Sequence, residues 1–267
     1  MNDLSGVILS NKYKIIRLIN EGTFCKLYEA VHIDKNIRVA IKAESSENGK
    51  KILNNEINMY IYLKKYKINV PHIKHIGTYN NYKYIVMKLL DKNLKEYSIK
   101  NRTIEKYDTL IYEIFHTVYH FHERGLVHRD IKPENFVFDE YNNIYIIDLG
   151  LSTFISKREL SSFIGNKMYA SYNCHTSKYI YEETDDLISI VYMLLHLYTG
   201  ILPWSGKNTT ITYELKHINY TEYTDFYKKV NRYDNIVKRL LDIYLLIHGY
   251  KHYNNIFVLL CSTVNSC

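Results

Sequence analysis

Through residues 1–90, apolar and polar positions alternate in short runs, Tyr13 to Ile19, Lys26 to Val31, Ile37 to Ile41 and Tyr82 to Met87. Turn-forming stretches such as Asp34-Lys35-Asn36 and Tyr79-Asn80-Asn81 lie between them. A period of two predicts antiparallel strands. Between the third and fourth runs, Lys50 to Lys65 sets Ile52, Leu53, Ile57, Tyr60 and Ile61 at helical spacing, so one helix is expected to interrupt the sheet. The remaining chain is mainly of helical period. Thr103 to Arg124 carries Leu110, Ile111, Ile114, Phe115, Val118 and Phe121 on one side and stops at Gly125; Asp185 to Tyr198 repeats the pattern and stops at Gly200. A short strand pair is expected near residues 136–147. The predicted class is α+β: one domain over residues 1–267, with a small antiparallel sheet and one helix in 1–90 and a mainly helical body in 91–267.

Composition narrows the classes without choosing a function. With 267 residues, 46% hydrophobic and 24% charged, the chain is long and apolar enough to bury a core, which excludes a disordered or fibrous protein. Lysine and arginine exceed aspartate and glutamate by 35 to 28, so polyanions of some kind should be attracted. The two signs are mixed along the chain, which favours solvated faces over a nucleic-acid surface. Cys25, Cys174, Cys261 and Cys267 show no C-x-x-C pairing, so neither a zinc site nor a disulfide framework is expected, and a reducing, intracellular setting fits. The N-terminus lacks a basic segment followed by a long apolar run, the late apolar stretch Ile256 to Leu260 is too short to span a bilayer, and Val264 stands where a prenylation signal needs cysteine. A soluble protein is expected, with cytoplasm as the first choice of compartment and the nucleus as the second. The heavy use of Tyr, Asn, Ile and Lys is read as A/T-rich coding bias, as in a virus, a parasite or a low-GC microbe.

His128-Arg129-Asp130-Ile131-Lys132-Pro133-Glu134-Asn135 gathers a carboxylate, a cation and an amide in one short loop after a long helix. Phosphoryl transfer can use each of them: Asp130 to accept a hydroxyl proton, Lys132 to neutralise the moving phosphoryl group, Asn135 to hold magnesium through its side-chain oxygen. Downstream, Asp148-Leu149-Gly150 follows the apolar run Ile144 to Ile147 and offers a second magnesium-binding carboxylate. Upstream, Val39-Ala40-Ile41-Lys42 puts a lysine at the end of the third strand, within reach of nucleotide phosphates, and Glu56 on the predicted helix is its expected partner. The competing acids Glu44 and Glu47 are read as loop residues. Asn20-Glu21-Gly22-Thr23-Phe24-Cys25 retains only the central glycine of a phosphate-covering G-x-G-x-x-G loop. Asn20 tolerates positive φ, whereas Cys25 adds a side chain where bare backbone is usual.

In this order the motifs resemble a eukaryotic-type protein kinase over nearly the whole chain, and the Lys132-Pro133-Glu134 form of the loop resembles the serine/threonine kinases. Phe163 to Asn173, Asp185-Asp186-Leu187 and Leu202-Pro203-Trp204 resemble the casein kinase 1 group, with the vaccinia-related kinases as nearest relatives and a large DNA virus as a source consistent with the coding bias. The resemblance implies the two-lobe kinase fold and transfer of the γ-phosphoryl group of ATP, with Mg2+, to Ser/Thr hydroxyls of protein substrates. It places Ile19, Asn20, Gly22, Phe24, Cys25, Leu27, Ala40, Lys42, Glu56, Met87 and Leu89 around the nucleotide, between the lobes, with Lys88 to Leu90 as hinge. Asp130 and Lys132 act in catalysis, Asn135 and Asp148 hold metal, and Asp186 braces the catalytic loop. Glu183 and Thr184 stand where the group carries two arginines, so a preference for phosphate-primed substrates does not carry over. Ser152, Thr153, Ser156, Ser161 and Ser162 are polar loop positions open to phosphorylation. Two readings compete with an active kinase: a pseudokinase scaffold, motivated by the reduced glycine loop, and nucleic-acid binding through the lysine excess, which could accompany either.

Overall fold

The computed structural model describes residues 3–46, 52–100, 104–155, 163–175 and 179–249, so Glu47, Ser156, Ser161, Ser162, Ile256 to Leu260, Cys261, Val264 and Cys267 lie outside the described residues. The strands are β1 (Ile8–Leu9), β2 (Tyr13–Glu21), β3 (Cys25–His32), β4 (Ile37–Ser45), β5 (Ile73–Tyr79), β6 (Tyr82–Lys88), β7 (Leu126–Val127), β8 (Phe136–Phe138), β9 (Ile144–Ile146) and β10 (Thr153–Phe154). The helices are α1 (Ile52–Leu63), α2 (Leu94–Lys100), α3 (Ile104–His122), α4 (Glu183–Thr199), α5 (Thr209–Lys216), α6 (Tyr220–Lys229) and α7 (Asn235–Gly249). The contacts divide the chain into one unit of residues 1–91 with 137–152, and a second of residues 92–136 with 153–267.

The first unit is built on a six-stranded sheet of order β1-β2-β3-β4-β6-β5, antiparallel at every pairing. Alternate residues share a face of a strand. Tyr13 and Ile15, Tyr28 and Ala30, Val39, Ile41 and Ala43, and Tyr84 and Val86 therefore form one buried apolar layer, closed by Leu4 and Leu9. The residues between them take the other face. There the register sets Leu27 opposite Lys42, Ala40 opposite Met87, and Cys25 opposite Glu44, so side chains expected around a nucleotide share one surface. Helix α1 buries Leu53, Glu56, Ile57, Met59, Tyr60 and Leu63; of the apolar stripe expected from the sequence, Leu53, Ile57 and Tyr60 are buried, whereas Ile61 is exposed.

Strand β5 is absent from the sequence reading. Its residues Ile-Lys-His-Ile-Gly-Thr-Tyr carry polar groups and a glycine in an edge position, so the apolar alternation is diluted. What makes it a strand is the tight turn to β6, where Asn80 adopts φ 48° and Tyr79 pairs with Tyr82. Strand β1 is too short to leave a periodic trace.

In the second unit, α4 is buried on nearly all sides from Asp185 to Leu195, the pattern of a central helix. Tyr107 on α3 donates to the Leu194 carbonyl at 3.1 Å, and Arg239 on α7 pairs with Asp108 at 2.7 Å. Tyr192, Trp204, Tyr223 and Tyr244 pack edge to face, with Tyr192 and Trp204 centroids 4.8 Å apart and Tyr223 and Tyr244 5.1 Å apart. Gly125 (φ 71°) and Gly200 (φ 78°) follow the ends of α3 and α4 in left-handed conformation, as their sequence positions predict.

Gly77 has a packing reason to be glycine: a Cβ there would lie 2.5 Å from the Tyr84 ring, whose hydroxyl is itself bonded to Ser10 Oγ at 2.8 Å. Gly77→Ala is expected to destabilise the protein by about 1–3 kcal/mol through overpacking. A lower urea midpoint with unchanged slope would show it; an unchanged midpoint would mean that β5 can move away from the ring.

Candidate active site

Within the first unit, Lys42 projects from β4 between two carboxylates, buried Glu56 and half-exposed Asp148. Its Nζ lies 2.7 Å from Glu56 Oε2 and 2.7 Å from Asp148 Oδ1. Burial alone would lower the Lys42 ammonium, but the two carboxylates outweigh it and hold the group charged well above its usual range. Burial also lifts the Glu56 carboxyl, and Lys42 opposes that lift. Glu56 is thus the partner of Lys42, as the helical reading proposed. Glu44 is a correction: it is a buried strand residue of β4 rather than a loop acid, and Oε1 accepts from Ile52 N at 3.0 Å and Leu53 N at 3.2 Å. A carboxylate there satisfies the unpaired first amides of α1 and favours its dipole.

Asp148 adopts left-handed φ 61°, ψ 61°, and the turn after it is fixed to α1 by Asn55, which donates to the carbonyls of Gly150 and Ser152 at 2.9 Å. Gly150 allows the approach, because a Cβ there would lie 2.4 Å from the Ile52 side chain. Leu149 is fully buried, in keeping with a packing role. The β8–β9 hairpin that delivers Asp148 is held by Asp139, which accepts from Tyr141 N and Asn143 N at 3.0 Å and pairs with Lys88 at 3.3 Å.

The glycine-containing segment is a tight hairpin between β2 and β3, closed by Gly22 N donating to Cys25 O at 2.9 Å. One expectation changes here. Asn20 sits in the ladder opposite Leu27, with no positive φ, so left-handed tolerance is not its role. Cys25 is half-buried, and desolvation pushes its thiol up to about 12, so it lacks the thiolate character of a readily alkylated cysteine. Ile19 is exposed on β2, Phe24 and Leu27 are half-buried, Ala40 and Met87 are buried, and Leu89 follows β6 half-buried.

Within the second unit, Asp130, Lys132 and Asn135 come together in the loop after β7. Lys132 Nζ lies 2.5 Å from Asp130 Oδ2, and Asn135 Nδ2 donates to Asp130 O at 2.8 Å and to Oδ2 at 3.2 Å. With its amide nitrogen committed to Asp130, Asn135 has its carbonyl oxygen left to offer. Asn135 and Asp148 are each hard oxygen donors suited to magnesium. Among the described residues no cluster of three or more His, Cys, Asp or Glu could hold a metal ion.

The loop backbone is braced by Asp186 at the start of α4. Oδ2 accepts from His128 N at 2.7 Å and Oδ1 from Arg129 N at 3.0 Å, while Arg129 adopts φ 68°. Two further donors escaped the sequence reading: His122 Nε2, 2.9 Å from Oδ2, and Tyr181 OH, 2.6 Å from Oδ1. Neither belongs to a motif, and no periodicity marks them. Desolvation pushes the Asp186 carboxyl up, but hydrogen bonds from His122 and Tyr181 together with the imidazole charges outweigh it, and the group lies below its usual range. The adjacent Asp185 is pushed up by burial to about 6, despite accepting from Ser171 Oγ at 2.5 Å and Tyr179 OH at 2.8 Å.

The family model for the protein kinase domain matches residues 13–249. A probable serine/threonine-protein kinase of Dictyostelium discoideum is 31% identical over 219 residues, which cover 75% of this chain and 43% of that relative, so the chain spans less than half of the relative's length. The chain belongs to the protein kinase family, and its antiparallel-sheet N-terminal region and helical C-terminal region are those of the two-lobe kinase fold. Among the described residues no helix is long and apolar enough to cross a membrane.

Because Asp186 titrates below its ordinary value, its ionised form contributes stability that is complete above the unfolded-state pKa and is lost as pH falls through the folded one. Asp186→Asn is expected to cost about 3–5 kcal/mol at pH 7, leaving buried donors mismatched, and progressively less below about pH 4. Denaturant unfolding of parent and variant across that range tests it; a gap independent of pH would assign the loss to shape rather than charge.

Proposed function

We propose that the chain is an active serine/threonine protein kinase that transfers the γ-phosphoryl group of ATP to protein hydroxyls. The observation that carries this is the loop in which Asp130, ion-paired to Lys132 and bonded to Asn135, is held on a backbone braced by buried Asp186. In this reading Lys42, fixed by Glu56, binds the nucleotide phosphates, and Asp148 and Asn135 would each offer an oxygen to magnesium, which when bound would supply neutralisation of phosphate charge. Asp130 orients the substrate hydroxyl and receives its proton, and Lys132 stabilises charge developing on the phosphoryl oxygens. The Lys-Pro-Glu form of the loop supports Ser/Thr acceptors. The segments around Tyr169-Ala170-Ser171, Asp185-Asp186-Leu187 and Leu202-Pro203-Trp204 support placement in the casein kinase 1 group.

The reading is tested by phosphate transfer from labelled MgATP to a generic acidic protein. Asp130→Asn is expected to lower the rate at least about 100-fold, the usual worth of a positioned base. Lys42→Met is expected to lower it by a similar factor, about 100-fold or more, through lost electrostatic positioning. A thermal shift with MgATP in the absence of any transfer would instead support a nucleotide-binding pseudokinase, the reading favoured by the single glycine of the β2–β3 hairpin. Neither shift nor transfer would favour a scaffold.

A further inference from the structure

The last residue of α5, Lys216, is 1% exposed, and a buried ammonium must be met by acceptors. Its partners are unusual for a lysine. Nζ donates to the Lys167 carbonyl at 2.6 Å and to the Ala170 carbonyl at 2.5 Å, and it lies 3.2 Å from His175 Nε2. The faces of Trp204 and Tyr192 stand 5.2 Å and 5.8 Å away, within cation–π reach. Burial brings the ammonium down to about 7, and burial with the nearby lysine charges brings His175 down to about 4, so the imidazole is neutral near pH 7 and accepts. Two of these three contacts go to backbone carbonyls of one short stretch, and the third to the His175 ring beyond it.

That stretch runs directly from the catalytic loop. Gly165 (φ 110°) lies so close to the loop that a Cβ there would stand 2.2 Å from Arg129 O and 3.9 Å from Asp130 Oδ1. From Gly165 the chain passes through Met168, whose carbonyl accepts from Trp204 Nε1 at 2.8 Å, and Tyr169, whose hydroxyl meets His196 Nδ1 at 2.8 Å. Gly165 borders the Asp130 carboxylate, so a polypeptide presenting a hydroxyl there passes the start of the stretch 165–170. The backbone path of that stretch is set at two carbonyls by one ammonium. We infer that Lys216 is a positioning residue for the protein substrate, fixing residues 167–170 so that they present a defined docking edge next to Asp130. The inference rests on the kinase reading above, and it concerns substrate engagement rather than the phosphoryl-transfer step.

Lys216→Met keeps the length and apolar stem and removes all three donors, while Lys216→Gln keeps a single amide donor group. With a peptide acceptor, Lys216→Met is expected to raise the peptide KM about tenfold, the worth of hydrogen bonds from a charged group, with the ATP KM within about twofold of the parent. Lys216→Gln should fall between the two. Amide hydrogen exchange should quicken at residues 166–175 and stay unchanged at α4. A peptide KM equal to the parent's, or an equal rise in both KM values, would overturn the assignment, as would loss of folding in both variants, which would make the lysine purely structural. If the parent transfers no phosphate, the kinase reading fails on its own, and the exchange experiment still judges the anchor: unchanged exchange at 166–175 would overturn it.

Discussion

A carboxylate removed from water has to be surrounded by donors, and the second unit is arranged around that requirement at Asp186. Two of its donors are backbone amides of the loop that carries Asp130, one is a histidine on α3 and one is a tyrosine from the segment before α4. The same charge that would be costly if unpaired thereby joins two helices and a loop at one point. Arg129 holds a left-handed backbone conformation that a non-glycine residue adopts reluctantly, and the two amides on either side of its Cα bond the carboxylate or the neighbouring His128 ring. The geometry of the Asp130 loop is thus a consequence of buried charge compensation.

The first unit solves the related problem of a buried cation. Lys42 is shared between Glu56 and Asp148, so its position is fixed by a helix and by a turn that are distant in sequence. Neither carboxylate alone would fix the ammonium, because a single pair leaves it free to rotate on its flexible stem. The sheet contributes by alternation: with one face filled by Tyr28, Ile41 and Val86, the residues between them are obliged to line the other.

Much of this could be read from the chain before its structure. The strands β2, β3, β4 and β6 and the helices α1 and α3 follow from periods of two and of 3.6, and α4, buried on nearly all sides, from its apolar run ending at Gly200. The pairing of Lys42 with Glu56 and the grouping of Asp130, Lys132 and Asn135 could be anticipated because these residue types stand at short, ordered spacing on elements with a clear period. The rest was illegible for physical reasons. Strand β5 is an edge held by a turn; His122 and Tyr181 act on Asp186 through space from unrelated segments; and Lys216 is one of many lysines whose burial no local pattern records. Glu44 was misread because a carboxylate near a predicted helix suggests a loop, whereas it ends a strand and receives the helix's first amides.

Glu44 has a mechanical meaning as well. It lies two residues beyond Lys42 on β4, and its carboxylate carries the first turn of α1, the helix that bears Glu56 and, one residue earlier, Asn55. Asn55 in turn grips the backbone beyond Asp148, whose carboxylate returns to Lys42. Strand, helix and turn therefore close a ring in which each link bears on the next. A pull on Asp148 is carried through α1 back to the strand from which Lys42 extends, so the three charges move as one linkage with little freedom to separate.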